Sequence, residues 1–378
     1  MIRILMLNCE FPPIGGGAAN MNWYFLKEVA KHHDVELDLI TSGVNHTSIS
    51  HDFGSNINIR KVNVWKKNLH HWTFREMLVY LIKAYFLAFK LVLKNKYDLI
   101  HAVFGFPSGL IAYLLRKKVP YVVSMRGSDV PMFNSRFSFG YKLIRPLIKK
   151  IWASASALTA NSKGLKELAL LTDPQINIRI IPNGVDNDEF SPFVAEPGNG
   201  TRLLTVARLI DRKGIDYLIK SLSDLKDIIP GISLTIVGSG DKQNELEALV
   251  KKRELSESVK FLGEVPHNEL AAIYSSHDVF VLPSFNEGMS NAMLEAMASG
   301  LPIVTTATGG TSELLNGNAV IIEKGSSDSI RDALQTIISD KDKLSEMKRL
   351  SLERSKDFSW SKTAQEYFNF YDEAIKVH

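Results

Sequence analysis

The chain has 378 residues, of which 45% are hydrophobic and 23% charged. This is an ordinary globular composition, with material for two domains of about 150–200 residues each. It excludes a largely disordered, collagen-like or disulfide-stapled chain. The single cysteine, Cys9, excludes an intramolecular disulfide, a zinc finger and an iron–sulfur cluster.

Charge is distributed unevenly along the chain. Residues 1–190 carry 24 Lys and Arg against 14 Asp and Glu, whereas residues 191–378 carry 21 against 27. A basic first half favours an anionic partner, either phosphate groups or an acidic membrane surface. No zinc finger, RNP motif or basic–aromatic run accompanies it, so we expect no nucleic-acid partner.

No segment has the pattern of a signal peptide. The longest apolar stretch, residues 77–93, is interrupted by Lys83 and Lys90. Each central lysine would cost roughly 2.5–3.5 kcal/mol in a membrane-spanning helix. We therefore expect a cytoplasmic protein that is at most peripheral on the inner face of the membrane.

In the first half, apolar β-rich runs alternate with stretches of helical length. Continuously apolar strands separated by helices predict a parallel sheet covered on both faces. The predicted strands are Ile2–Asn8, Val35–Thr41, Ile57–Val64, Leu99–Phe104, Tyr121–Met125, Ala157–Ala160 and Ile178–Ile181, and the predicted helices include Ala19–Lys31 and Thr73–Lys94.

The second half repeats this plan. Gly300 is expected to adopt a left-handed conformation after one of its helices. The predicted strands are Arg202–Val206, Ser233–Val237, Val259–Phe261, Val279–Leu282, Ile303–Thr305 and Ala319–Ile322, and the predicted helices include Gly214–Ile229, Lys242–Lys252, Ser290–Ser299 and, at the end, Trp360–Lys376.

Residues 191–201 between the halves are rich in Pro, Gly and Asn, as is typical of a linker. The sequence therefore predicts two α/β domains in tandem, each with a doubly wound parallel sheet. Ligands bind at the carboxyl ends of the strands in such sheets, and two facing sheets would place those ends across a cleft.

Three segments after strands carry candidate chemistry. The first, residues 11–20, contains Gly15, Gly16 and Gly17, which let backbone approach a ligand ahead of a helix N-terminus. A dinucleotide fingerprint is disfavoured because Asn20 replaces its third glycine. A mobile surface loop is the alternative.

The second segment places Arg208 and Lys213 after the first strand of the second half, where two cations suit a diphosphate. Solvated surface cations are the alternative interpretation.

The third segment follows strand Val279–Leu282 and contains Glu287 and Glu295, with residues 288–291 at a helix start. A phosphate on the helix N-terminus and sugar hydroxyls on the carboxylates would suit a nucleotide sugar. Acids at this spacing are also common on ordinary helices.

In their order along the chain, these segments resemble glycosyltransferase family 4, retaining enzymes of GT-B fold. The resemblance spans nearly the whole chain. It implies two Rossmann-like domains, residues 1–190 on the acceptor side and 191–357 on the donor side, with residues 358–378 packing back on the first domain. Further matching stretches are Asn161–Lys163, Ile181–Asp186 and Phe358–Trp360.

The resemblance also implies roles for single residues. Arg208 and Lys213 would hold the donor diphosphate, Glu287 would contact the transferred sugar, and Glu295 would bind the ribose. Donor-binding backbone is implied at five further positions: Gly15, Gly16, Gly288, Met289 and Ser290.

One position departs from the family pattern. Arg126 stands where many relatives have a histidine, and arginine is a poor general base because it stays charged. His101 and Asp129 are the other candidates for the acceptor side.

We expect no cofactor and no required metal. The two D-x-D strings, Asp186–Asp188 and Asp340–Asp342, do not end core strands. In family members a basic pair holds the donor diphosphate.

The predicted activity is retaining, metal-independent transfer of a hexose from a nucleotide-diphosphate sugar to an acceptor hydroxyl. Polysaccharide, lipopolysaccharide or glycolipid biosynthesis is the expected setting. The alternatives are a sugar-nucleotide epimerase of the same architecture and a non-catalytic nucleotide-sugar or polyanion-binding protein.

The acceptor is expected to be a sugar or a lipid-linked molecule. The basic first domain could rest on an anionic membrane through the aromatic, basic edge at residues 70–75, with Lys66 and Lys67 contributing charge. The apolar face of the following helix is expected to be mostly core.

Overall fold

The computed structural model describes residues 1–44, 48–50, 53–66, 68–69, 72–133, 138–192 and 200–376. The chain divides into two compact units. Unit 1 comprises Met1–Asn183 and Trp360–His378, and unit 2 comprises Gly184–Ser359. The division falls ahead of the linker predicted at residues 191–201, of which residues 193–199 lie outside the described residues.

Unit 1 is an α/β unit built on an eight-stranded sheet of order β3-β4-β2-β1-β5-β6-β7-β8. All neighbouring strands are parallel except β3, which runs antiparallel to β4. The strands are β1 (Ile2–Leu7), β2 (Val35–Gly43), β3 (Ser48–Ser50), β4 (Ile57–Asn63), β5 (Leu99–Val103), β6 (Tyr121–Met125), β7 (Ala157–Ala160) and β8 (Ile178–Ile180). The helices are α1 (Gly17–Val29), α2 (Phe74–Lys94), α3 (Ser108–Leu115), α4 (Ser138–Ala153), α5 (Lys163–Leu170) and, from the end of the chain, α13 (Trp360–Lys376).

Unit 2 contains a six-stranded, wholly parallel sheet of order β11-β10-β9-β12-β13-β14. Its strands are β9 (Arg202–Val206), β10 (Ser233–Val237), β11 (Val259–Gly263), β12 (Val279–Leu282), β13 (Ile303–Thr306) and β14 (Ala319–Ile322). Its helices are α6 (Ile215–Ile228), α7 (Gln243–Lys252), α8 (His267–Ser275), α9 (Asn291–Ala298), α10 (Thr311–Leu314), α11 (Ser327–Ser339) and α12 (Lys341–Ser355). Gly300 follows α9 with φ 75°, which confirms its predicted left-handed conformation.

The predicted fold class is confirmed, because both units are doubly wound parallel sheets covered by helices. Their central strands are buried along most of their length, as in sheets with helices on both faces. Short β3 and several helices were not predicted individually.

Helix α13 is part of the core of unit 1. Trp360 stacks on Tyr24 of α1 with ring centroids 5.4 Å apart, and Tyr367 meets Phe25 edge-on at 5.3 Å. Tyr367 and Tyr371 are each only 1% exposed. The last helix of the chain therefore contributes buried aromatic area to the first unit.

The start of α2 corrects one sequence prediction. Thr73 and Glu76 form a reciprocal capping box, and Glu76 also accepts a hydrogen bond from Lys66 Nζ at 3.0 Å. Lys66 lies 3.9 Å from the Trp72 ring and its side chain is wholly buried, so its assignment to a membrane-facing edge was wrong. Lys67, His70 and His71 from the same edge lie outside the described residues.

Candidate functional site

Two neighbouring strands of unit 2 end at the topological switch point of its sheet. β9 pairs with β10 on one side and with β12 on the other. Loops that follow strands at such a point are where open α/β sheets bind ligands. Lys213 lies beyond β9 and Glu287 beyond β12, and the fold brings these two predicted residues into contact.

A tight turn in the loop after β9 packs against the loop after β12. The turn Asp211–Lys213 ends at Gly214, whose φ of 63° is a conformation that glycine adopts without strain. A Cβ atom there would lie 2.4 Å from the carbonyl oxygen of Pro283. The backbone N–H of Phe285 donates to the Arg212 carbonyl at 2.8 Å, so the loop after β12 is fixed against the turn.

Lys213 and Glu287 form an ion pair where these two loops meet, with Nζ in contact with Oε1. We call this place the unit 2 corner. Ser284 Oγ donates to the same carboxylate oxygen at 2.7 Å, and the two charged side chains are 12% and 11% exposed. Burial raises the pKa of Glu287, but Lys213, Ser284 and Arg212 together outweigh it and hold that pKa below its usual value. Glu287 is therefore an ionised hydrogen-bond acceptor at neutral pH.

Two arginines add positive charge around this ion pair. Arg208 is exposed and Arg212 is partly buried. Burial lowers the pKa of Arg212, the Glu287 carboxylate raises it and the Arg208 guanidinium lowers it, which shows that the groups interact. Because arginine keeps its proton at neutral pH, three cations accompany one carboxylate. Arg212 was missed by sequence reasoning, since no pattern distinguishes it from a solvated surface arginine.

The N-terminus of α9 lies directly after this loop. Ser290 caps the helix by accepting the Met293 N–H at 3.4 Å, and the Gly288 carbonyl accepts the Gly310 N–H at 2.8 Å. Met289 and Ser290 are buried, and the first turn carries no acidic residue. The backbone of residues 288–290 is thus held rigidly beside a helix end that favours negative charge.

Glu295, the second predicted acid, lies within α9 and is 8% exposed. Its Oε1 is 3.2 Å from His267 Nε2, and its Oε2 accepts a hydrogen bond from the Tyr274 hydroxyl at 2.9 Å. His267 Nδ1 is also 3.7 Å from a carboxylate oxygen of Glu189. His267 and Tyr274 were not predicted, since both come from α8 and nothing in the sequence relates them to Glu295.

In unit 1 the backbone N–H groups of the glycine loop after β1 are bonded to groups of the chain itself. Gly15 has φ 106°, and its N–H donates to the Leu69 carbonyl at 2.9 Å. The N–H of Gly16, which precedes α1, donates to the Glu10 carboxylate at 3.4 Å. A side chain of this chain therefore brings negative charge to the helix N-terminus that the sequence assigned to a donor phosphate or sugar.

His101 lies inside unit 1 and is fully buried. Its Nε2 is 2.7 Å from Ser124 Oγ and its Nδ1 is 2.7 Å from the Tyr371 hydroxyl. Burial, with a smaller contribution from Arg126, lowers the pKa of His101 to about 3. It is therefore a neutral imidazole that connects α13 to the sheet through these two bonds, and its contact with an acceptor stays a prediction.

The other two acceptor-side candidates are also bonded within unit 1. Arg126 donates to Asn183 Oδ1 at 2.8 Å and to the Tyr367 hydroxyl at 2.6 Å. The buried Asp129 carboxylate accepts backbone N–H groups from Gly105, Arg126 and Gly127 at 2.8–3.1 Å. Burial raises the pKa of Asp129, and these N–H groups oppose the shift.

Two family models together match most of the chain. The sequence model of Glycosyltransferase Family 4 matches residues 15–189, and that of Glycosyl transferases group 1 matches residues 186–353. The chain belongs to glycosyltransferase family 4. A Methanocaldococcus jannaschii protein described as a glycosyltransferase is 27% identical over 100% of this chain and 99% of its own length.

Solved structures show the same fold as this family 4 glycosyltransferase. Sucrose-phosphate synthase from Thermosynechococcus elongatus matches with a TM-score of 0.85 and 21% identity, covering 100% of both chains. The Anabaena HepE protein in complex with UDP-glucose matches with a TM-score of 0.75 and 19% identity, covering 98% of this chain and 99% of its own. The expected GT-B fold is thereby confirmed.

The two D-x-D strings of this glycosyltransferase have local structural roles. Asp186 accepts the N–H groups of Asp188 and Glu189 at 3.2 and 3.1 Å, and Asp340 caps α12 by accepting the Lys343 N–H at 2.9 Å. Across the described part of the chain, no three His, Cys, Asp or Glu side chains converge as a metal site would require.

Proposed function

We propose that this glycosyltransferase uses a nucleotide-diphosphate sugar and transfers its hexose to an acceptor hydroxyl with retention of configuration. The observation that carries the proposal is the corner formed by Lys213, Glu287, Arg208 and Arg212. It has an excess of positive charge at the switch point of the unit 2 sheet.

The charge balance of this corner suits a diphosphate. Lys213 pairs with Glu287, and Arg208 and Arg212 add two further positive charges beside this ion pair. An arginine fork can bind phosphate oxygens bidentately, and the lysine offers a compact charge. As the bond to the sugar breaks, negative charge grows on the departing diphosphate, and fixed cations stabilise it without reorganising.

Glu287 would orient the transferred sugar. It is held in place by Lys213 and Ser284 and stays ionised, so it accepts hydroxyl hydrogen bonds. We assign Glu295, positioned by His267 and Tyr274, to the ribose hydroxyls. A carboxylate has about four lone-pair sites, so these two contacts leave capacity for a ligand hydroxyl.

Retention is proposed through attack of the acceptor hydroxyl on the face from which the diphosphate leaves. Because the Glu287 oxygen that Lys213 contacts also accepts from Ser284, we assign it a positioning role and not that of a nucleophile. The acceptor is proposed to be a sugar or a lipid-linked molecule of polysaccharide, lipopolysaccharide or glycolipid biosynthesis in the cytoplasm. No metal and no cofactor enter this scheme.

The test is donor binding followed by product analysis. UDP-, GDP- and ADP-sugars are screened by thermal shift, where a donor at 100 times its Kd should stabilise the chain by about 2.7 kcal/mol. Arg208→Gln should reduce the shift to below about 1 kcal/mol, whereas Lys220→Gln, whose lysine pairs with Asp216 within α6, should retain it. Absence of any shift across the panel would contradict the proposal.

Product analysis separates the alternatives. Slow release of nucleoside diphosphate without acceptor, and an α-linked product from an α-linked donor, are expected for a retaining transferase. Recovery of the epimeric sugar nucleotide would assign an epimerase. Binding without any turnover would assign a nucleotide-sugar-binding protein.

A further inference from the structure

Helix α2 has one buried face and one face that exposes large apolar side chains. Tyr80, Ala84, Ala88 and Leu91 face the interior of unit 1. The opposite face carries a row of large apolar side chains at helical spacing. These side chains are Phe74, Leu78, Ile82, Phe86 and Leu93, with exposed fractions of 76%, 45%, 49%, 65% and 61%. We call these five residues the outer row of α2.

The outer row is unusual for a helix on the surface of an α/β unit. Such helices normally show one apolar stripe towards the sheet and a polar face towards water. A helix that is apolar all round is normally buried or spans a membrane. Among the described residues no helix is long and apolar enough to cross a bilayer. The five side chains of the outer row thus remain largely exposed in the described chain, and contiguous exposed apolar surface marks a docking site.

The exposed charged side chains of α2, namely Arg75, Lys90 and Lys94, are all basic, whereas its one acid, Glu76, is buried and pairs with Lys66. Between residues 77 and 128 the chain carries eight Lys and Arg but a single acid, Asp98, whose carboxylate accepts the Arg3 N–H. Lys90, Lys94 and Lys118 are exposed, and Lys118 Nζ lies 5.8 Å from the ring of Phe89 on α2. Trp65, which is 55% exposed, lies 4.1 Å from Lys83 Nζ of the same helix.

We propose that the outer row of α2 and its flanking lysines dock this protein onto an anionic lipid bilayer, with the helix lying in the interface. Apolar side chains would enter the acyl boundary while lysines contact lipid headgroups. A second copy of the chain fits less well, because a symmetric contact would bring the basic surfaces of two copies together. The proposal rests on unit 1 alone and goes beyond the proposed transfer reaction.

The test is flotation of the purified full chain with vesicles, in the absence of any sugar nucleotide. Vesicles of phosphatidylcholine alone are compared with vesicles that also contain phosphatidylglycerol. The chain should float with the anionic vesicles at low salt, and the bound fraction should fall as salt rises, because exposed charges are screened.

Matched variants locate the surface. Ile82→Ser with Phe86→Ser should weaken vesicle binding at least about tenfold, since two inserted side chains are lost. Leu171→Ser, at an equally exposed leucine after α5, should leave binding unchanged. Neutralising Lys90, Lys94 and Lys118 to Gln should cost about fivefold per lysine, whereas Lys251→Gln with Lys252→Gln in unit 2 should not matter.

Three outcomes would overturn the proposal. They are no flotation with anionic vesicles at low salt, equal loss of binding in the Leu171→Ser control, and a lipid-free dimer that Phe86→Ser converts to a monomer. The last outcome would assign the outer row to a second copy. Donor-induced thermal shifts of the same preparations report on the transfer site separately, so failure of one proposal is distinguishable from failure of the other.

Discussion

In unit 1 the loop after β1 brings the Glu10 carboxylate to the N-terminus of α1, and the residues after β5 and β6 bond to one another and to α13. In unit 2 the loops after β9 and β12 bring together Lys213, Arg212 and Glu287 with positive charge in excess. The two sheets share the same order around their switch points. The topology therefore provides a ligand-binding position in both units. The side chains around each position determine its net charge, and only in unit 2 is that charge suited to a phosphate.

The first prediction tests whether the polar interior of unit 1 serves stability. Tyr367→Ala removes a ring that is 1% exposed and the hydroxyl that accepts from Arg126. We expect a loss of about 3–5 kcal/mol in the free energy of unfolding, from the cavity and from the Arg126 N–H group that loses its hydroxyl partner. Gln365→Ala, on the exposed side of the same helix, should change it by less than about 0.5 kcal/mol.

Urea unfolding measures both variants. If Tyr367→Ala lowered the free energy of unfolding by no more than Gln365→Ala, and by less than about 0.5 kcal/mol, α13 would contribute little to the stability of unit 1. The milder Tyr367→Phe, which keeps the ring, should lose about 1–3 kcal/mol from the unsatisfied donor alone, and this readout remains available if the alanine variant does not fold.

The second prediction tests the charged corner of unit 2. Arg208→Ala and Lys213→Ala should each lower kcat/KM by at least about 30-fold, or about 2 kcal/mol of transition-state stabilisation, because a charge-assisted contact to phosphate is lost. Lys213→Ala also leaves Glu287 without its partner, so it should lower stability, whereas the exposed Arg208 should not.

Steady-state kinetics with the donor found by thermal shift provide the measurement. Lys220→Ala is the control, since this lysine pairs with Asp216 on the surface of α6. If both corner variants retained wild-type kcat/KM, the diphosphate would have to bind elsewhere.

The proximity of Lys213 and Glu287 in unit 2 could be expected from the sequence because both belong to loops that directly follow strands, whereas their role in donor binding stays a prediction. Once β9 and β12 are adjacent, Lys213 and Glu287 are close. The sequence could not predict the roles of unit 1 residues, because those depend on contacts that are remote in the chain. His101 bonds to Tyr371, and Arg126 bonds to Tyr367, both on the last helix.

The sequence also could not show which face of helix α2 is buried. Hydrophobic periodicity indicates which face of a helix is buried only when the other face is polar. Because α2 is apolar on both faces, the sequence did not reveal that Ala84 and Ala88 face inward while Ile82 and Phe86 face solvent. The strand bounds were easier to predict, since each strand is a short apolar run.

The third prediction concerns the pH dependence of unit 1 stability. The pKa of His101 is about 3 in the folded chain and about 6.5 when unfolded. Between these values the unfolded state binds a proton that the folded state does not, so stability is full above pH 6.5 and falls as the pH drops towards 3. The slope from this residue is about 1.4 kcal/mol per pH unit.

The measurement compares wild type with His101→Gln, which keeps hydrogen-bonding capacity but does not titrate. The difference in unfolding free energy between the two should narrow as pH falls from 7 to 5. A difference that stays constant over this interval would show that His101 is protonated, or exposed, in the folded chain.

The smallest expected effect is that of removing divalent metal. Both D-x-D strings are engaged in local backbone hydrogen bonds, and in unit 2 the cations Arg208, Arg212 and Lys213 offer the positive charge that a metal would otherwise supply to a diphosphate. We expect kcat and KM to be unchanged when EDTA is added, with EDTA plus excess magnesium as the control for chelator effects. Loss of transfer in EDTA that magnesium or manganese restores would mean that a metal, and not the arginines, neutralises the departing diphosphate. The positive side chains of the unit 2 corner would then not be sufficient to explain why a diphosphate binds there and not at the switch point of unit 1.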